Sequence, residues 1–241
     1  MPVRLNLEHS VSRRNYFNNV HKAVRAGLFE TSLRVARTDF GDPEAAAATA
    51  RDVVDLMDFL DEHAGHEHDF VFPELVSFAP TLAADLEVEH SKLGELQMKV
   101  RALAHRVHRS SSRVRGETGP QLARVLTVLV TEQLRHLDRE ETEVNVAAWA
   151  NRTDDELAQI QTRAQAAMPA ETRDRFTKKM LPALNVGEQV ELLSGARKTL
   201  PAPAFAALVA LAREVLGPER WAVLGSRLEP RRSTLSYPLS G

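Results

Sequence analysis

The amino-acid sequence predicts an all-α protein: an antiparallel four-helix bundle followed by a C-terminal helical extension. Three observations carry that expectation. Apolar residues recur at helical spacing over long stretches, the chain is rich in Ala, Leu, Arg and Glu, and Gly and Pro fall mainly between the periodic segments. No segment reads as a strand. Four long helices with short connections bury their apolar stripes best against one another.

The elements follow in order. A first helix is expected over residues 12–38, ending at "DFGDP", where Gly41 and Pro43 break the pattern. A second begins at Pro43, a residue suited to a first turn, and runs to about residue 72, just before Pro73. The third spans about 80–109. The polar, Gly-containing stretch "RSSSRVRGETGP", 109–120, reads as a loop, and the fourth helix as 120–150. Beyond "NRTDDE", 151–156, shorter segments are punctuated by Pro169, Pro182, Gly187, Gly195, Pro201, Pro203 and Pro218. The expected division is therefore a bundle at 10–151, a helical extension at 152–230 and a tail at 231–241. In the extension, "FAALVALAREVLGPERWAVL" sets Phe205, Leu208, Val209, Ala212 and Leu216 at helical spacing, then Trp221 and Leu224. That face is either a satellite core docked on the bundle or a surface for a partner helix or a second copy, the latter a homodimer through the extension.

Composition narrows the chemistry. The 241 residues include no cysteine, which excludes disulfides, thiolate zinc sites, iron–sulfur clusters and cysteine nucleophiles. Any metal must be held by nitrogen and oxygen. The formal charge is −2, with Lys and Arg spread along the chain, so nucleic acid is not an expected partner. The opening "MPVRLNLEHSVSRRN" lacks the apolar core of a signal peptide, and no run of about 18 apolar residues occurs. A soluble cytoplasmic chain without a membrane partner is the expectation.

Against that background the histidines stand out. In "EHAGHEHDFVFP", 62–73, His63 shares a face with Val53, Leu56, Phe59 and Leu60 before it and Phe70 and Val71 after it. Glu67 lies one turn further along the same face. In "LRHLDREETEV", His136 follows Val125, Leu126 and Leu129, precedes Val144 and Ala147, and has Glu140 one turn on. The other two helices each place one histidine on an apolar face: His21 beside Phe17, Val24 and Leu28, and His90 beside Leu82, Leu86, Leu93 and Met98. A single His-x-x-x-Glu pair is ordinarily a solvated contact, and a lone inward histidine a satisfied core residue. Four histidines and two carboxylates together would need a core that satisfies all six internally, so the set points to a metal. Mixed imidazole and carboxylate donors suit iron, manganese or zinc, and facing helices are the setting of di-iron carboxylate bundles.

The order His21, His63-x-x-x-Glu67, His90, His136-x-x-x-Glu140, with "FVFP" after the first pair and a second acid after the last, resembles the hemerythrin-like (HHE cation-binding) domain family over roughly residues 10–150. The resemblance implies an antiparallel four-helix bundle around two iron ions, with manganese or zinc as alternatives. Carried onto this chain, it implies that His21 and His63 ligate one ion, His90 and His136 the other, and that Glu67 and Glu140 bridge. Oxygen-carrying hemerythrins have five histidines, an aspartate bridge and a His-x-x-x-His pair on the third helix. Here the residue four past His90 is Gly94, and fewer imidazoles favour chemistry at the metals over reversible oxygen carriage. Related sequences often have a second acid where this one has His68. His66 and His68 are expected at the surface or behind the ligands, Tyr16 in packing, and His105 and His108 too far along the helix to join His90.

The expected function is a non-heme di-iron protein that reacts with dioxygen or hydrogen peroxide, a catalase-like or oxidase chemistry with no catalytic residues beyond the ligands. Two alternatives stand beside it: a protein that binds or senses oxygen, nitric oxide or iron without turnover, and a metal-stabilised scaffold. The expected partner is a small-molecule oxidant.

Overall fold

A computed structural model describes residues 13–228; the expected tail at 231–241 and the first residue of the expected first helix lie outside the described residues. The described chain is all-helical, as the periodicity predicts. Its order is α1 (Asn18–Arg37), α2 (Pro43–Phe70), α3 (Phe72–Phe78), α4 (Pro80–Arg109), α5 (Ser112–Arg139), a π-helical turn (Glu140–Val144), α6 (Asn145–Asn151), α7 (Asp154–Ala167), α8 (Ala170–Ala183), α9 (Val186–Thr199) and α10 (Ala202–Leu228). Two compact units divide between Phe176 and Thr177.

In the first unit the four long helices form a helical bundle: α1 packs on α2 and α5, and α4 packs on the same two. Their shared interior is made by the stripes expected from spacing, with Val24, Leu28, Val53, Leu56, Phe59, Leu60, Leu86, Leu93, Leu126 and Leu129 all at most 4 % exposed. Met98, expected on the His90 stripe, is instead 65 % exposed. Eight residues carry it to 800° from His90, some 80° off that stripe.

Local chemistry explains the boundaries. Asp42 caps α2 by accepting from the Glu44 and Ala45 backbone N–H groups, and Pro43 occupies the first turn, where its missing N–H costs nothing. Helix α2 stops at Phe70, and the expected terminal Phe72 opens the short α3 instead. Phe72 is thereby turned inward, 4 % exposed, into an apolar cluster with Phe17, Leu75, Leu86 and Val144.

The segment read as a loop, 109–120, is a correction: α5 already begins at Ser112. Tertiary contacts override the weak local propensity. Arg115 donates to the Phe40, Gly41 and Ser110 carbonyls at 3.2, 3.1 and 2.7 Å, and Phe40 lies so close that a Cβ on Gly119 would sit 2.2 Å from its ring. Only glycine admits that ring, so a residue that looks like a loop marker is a packing device.

The fourth periodic segment is also interrupted, since the π-helical turn inserts one extra residue after His136. Its register shift moves Ala148 into the core at 1 % exposure, while Ala147, expected there, is only half-buried.

The second unit has a small core of its own, with Leu181, Leu193, Ala212, Leu216 and Leu224 buried and Leu208 and Trp221 packed on them. Helix α9 starts with a capping box between Asn185 and Glu188. Gly217, at φ 69° and ψ 171°, breaks α10 immediately before Pro218, a conformation that residues with a Cβ avoid. Among the described residues no helix is long and apolar enough to cross a membrane.

Candidate metal centre

Each long helix contributes to one polar cluster inside the first unit. His21 comes from α1, His63 and Glu67 from α2, His90 from α4, His136 from α5 and Glu140 from the first residue of the π-helical turn. His21, His63, Glu67, His136 and Glu140 are at most 4 % exposed, and the His90 side chain is 13 % exposed. All six residues singled out by spacing are therefore brought together.

The distances define the arrangement. His63 Nε2 lies 3.2 Å from Glu67 Oε1, and His136 Nε2 lies 3.2 Å from Glu140 Oε1. Across the helices, His21 Nε2 is 3.6 Å from Glu67 and 3.3 Å from Glu140, and His90 Nε2 is 3.5 Å from Glu67 and 4.0 Å from Glu140. His90 and His136 approach at 2.8 Å through their Nε2 atoms. Two overlapping groups result, His21–His63–Glu67–Glu140 and Glu67–His90–His136–Glu140, each with its donor atoms within 4.8 Å of one another. Both glutamates belong to both groups.

Five of these atoms, His21 Nε2, His63 Nε2, both Glu67 oxygens and Glu140 Oε2, are buried without a hydrogen-bond partner. Leaving so many polar atoms unpaired in one place is costly unless a cation completes them. Hard carboxylate and borderline imidazole donors on facing helices fit such an ion, so the donor set passes as a cation site.

Behind the cluster stand carboxylates that spacing does not single out. The His21 Nδ1–H donates to Glu141 at 2.9 Å, and Arg25 holds the same oxygen at 2.7 Å. The His136 Nδ1–H donates to Glu89 at 2.9 Å, and Glu89 is in turn held by Arg139. These contacts leave each Nε2 directed inward. Glu89 precedes His90 and Glu141 follows Glu140, one residue and about 100° away from the inward stripe. Their only local signal is an acid beside a candidate ligand.

The electrostatics follow from burial against pairing. Burial opposes charge on His21, but the nearby carboxylates of Glu140, Glu141 and Glu67 outweigh it and raise its pKa to about 10. In His136 burial is likewise overcome, by Glu140 and Glu89, and the pKa rises to about 9. Burial pushes Glu141 up, yet His21 and Arg25 bring it down to about 2. Glu67 is held well below the usual carboxylate range because His63, His21 and His90 overcome its burial. At His63, within the cluster, burial wins and lowers the imidazole.

Aromatic rings wall the cluster. Phe17 stacks on His21 with ring centres 4.7 Å apart, and Phe72 lies 5.1 Å from His90. Tyr16 packs against the apolar cluster of Phe17 and Phe72, where burial and the Glu74 carboxylate push its phenol up to about 12. His66 contacts Phe70 and Phe176, and the largely exposed His68 pairs with Glu87 at 2.8 Å. His105 and His108 are exposed and belong to neither group.

The hemerythrin HHE cation binding domain model matches residues 14–148, a span that begins just before α1 and ends within α6. No curated protein and no solved structure matches the chain. A match over more than half of the sequence, containing all six converging residues, establishes the family: this chain belongs to the hemerythrin HHE cation-binding domain family.

Proposed function

We propose that the chain is a non-heme di-iron protein that reacts with dioxygen or hydrogen peroxide, built on an antiparallel four-helix bundle of α1, α2, α4 and α5. The observation that carries this reading is the sharing of Glu67 and Glu140 by both donor groups. On it, His21 and His63 would hold one ion and His90 and His136 the other, with each glutamate spanning the two. Iron bound there supplies Lewis acidity and redox equivalents.

The chain's own residues do the rest. Glu141 and Glu89 fix the orientation of His21 and His136, so that neither ring must reorganise when an ion is taken up. Phe17 and Phe72 cover the cluster and limit water around its charges. With four imidazoles and Gly94 in place of a fifth, the donor set leaves coordination room for an incoming oxidant.

The test is metal analysis followed by peroxide consumption over many equivalents, with loosely bound iron removed by chelator. About two iron ions per chain are expected from the two donor groups, with sustained peroxide loss that His63→Ala and Glu140→Ala abolish together with the metal. One ion or none in fully loaded protein would defeat the reading. Reversible oxygen binding with peroxide left untouched would replace it by carriage or sensing.

A further inference from the structure

Gly94 lies four residues past His90 on α4, and Gln133 lies three residues before His136 on α5. With Leu60 and Ala64 of α2 and Leu93 and Gln97 of α4, they line a cavity of about 140 Å³ that reaches His63, Glu67 and His90. A Cβ built on Gly94 meets no atom within 4 Å, so the missing side chain leaves open space there. Gln97 and Gln133 are 6 % and 4 % exposed, and the Gln133 amide oxygen is buried without a hydrogen-bond partner. An unpaired buried amide oxygen favours any occupant that donates a hydrogen bond to it.

Size and polarity narrow the occupant. One water needs about 10–15 Å³ of such space, whereas an apolar cavity of about 150 Å³ accommodates benzene. A diatomic molecule or peroxide would leave most of the volume empty. Leu60, Ala64 and Leu93 offer carbon surface, the Asp61 carboxylate in the lining is already paired with Arg101 at 2.6 Å, and burial beside the carbon surface disfavours a charged guest. A hydroxyl group suits the glutamine amide in either orientation, because it can both donate and accept.

We propose that this cavity binds a small uncharged organic molecule carrying a hydroxyl group, about the size of phenol, with the hydroxyl paired to the Gln133 amide. Such a guest lies beside the face formed by His63, Glu67 and His90. The inference goes beyond the proposed reaction with an oxidant and does not rest on which metal the centre holds.

The experiment titrates full-length protein with phenol and with benzene, following the methyl resonances of Leu60 and Leu93. It is run on zinc-loaded protein, where no redox chemistry intervenes, and on chelator-treated protein. Phenol is expected to shift these resonances saturably in both. Gly94→Leu should weaken binding about tenfold or more by filling the cavity, with zinc content unchanged. Gln133→Leu should remove the preference for phenol over benzene while leaving benzene binding in place. Absence of a saturable shift in the unmodified protein overturns the proposal, as does equal phenol affinity in Gly94→Leu. Equal affinity for phenol and benzene in the unmodified protein overturns the hydroxyl assignment.

Discussion

Replacing Glu141 with alanine removes the carboxylate that accepts from His21 Nδ1 at 2.9 Å and from Arg25 at 2.7 Å, while leaving all six converging residues in place. An outer carboxylate of this kind is worth about 10–100-fold in metal affinity, or about 1.4–2.8 kcal/mol. The alanine variant belongs toward the upper end, because His21 loses its acceptor and Arg25 its counter-charge. Glu141→Gln keeps an acceptor oxygen and loses only charge, so it belongs toward the lower end. Because Glu141 contacts His21 alone among the four histidines in the cluster, on the proposed pairing the ion that His21 and His63 would hold should weaken and the other should not. Chelator competition resolves this as two transitions, one displaced and one unmoved. Glu132→Ala, which removes an exposed partner of Arg135 at 3.2 Å, is the control and should change neither. If Glu141→Ala matches the control, or displaces both transitions equally, the role given to Glu141 is wrong.

Glu67→Ala and Glu140→Ala should each cut metal content sharply and remove the rise in melting temperature that metal confers, whereas His105→Ala and His108→Ala should do neither; elemental analysis beside thermal melts checks this. In chelator-treated protein the raised pKa values of His21, to about 10, and His136, to about 9, make protonation stabilising. That contribution is complete below their unfolded value near 6.5 and is lost as pH rises through 9 to 10, so the melting temperature should fall across that range; a flat profile from pH 7 to 10 would contradict it. Gly119→Ala should destabilise the fold by about 1–3 kcal/mol, because the added carbon collides with Phe40. In the same helix Gly116→Ala meets nothing within 4 Å and should be neutral or stabilising by up to about 1 kcal/mol; denaturant midpoints compare the two.

Periodicity, composition and the placement of Gly and Pro determined the all-helical class, and periodicity determined most of the buried stripes and the six residues that converge. The reason is geometric: a helix repeats every 3.6 residues, so spacing alone places His63 with Glu67 and His136 with Glu140 on inward faces. What lay outside that reach depended on contacts between segments distant in the chain. Helix α5 extends through residues that look like a loop because Phe40, far away in sequence, packs on Gly119 and Arg115 gathers carbonyls on both sides of the chain. The π-helical turn after Arg139 shifts the register by one residue, so that Ala148 rather than Ala147 enters the core. Glu141 and Glu89 sit off the inward stripes and acquire their roles only when α1 lies beside the π-helical turn and α4 beside α5, bringing each within hydrogen-bond reach of an imidazole on another helix. Which residues face inward is a local property of a helix; which partners meet there is decided by the packing of one helix on the next.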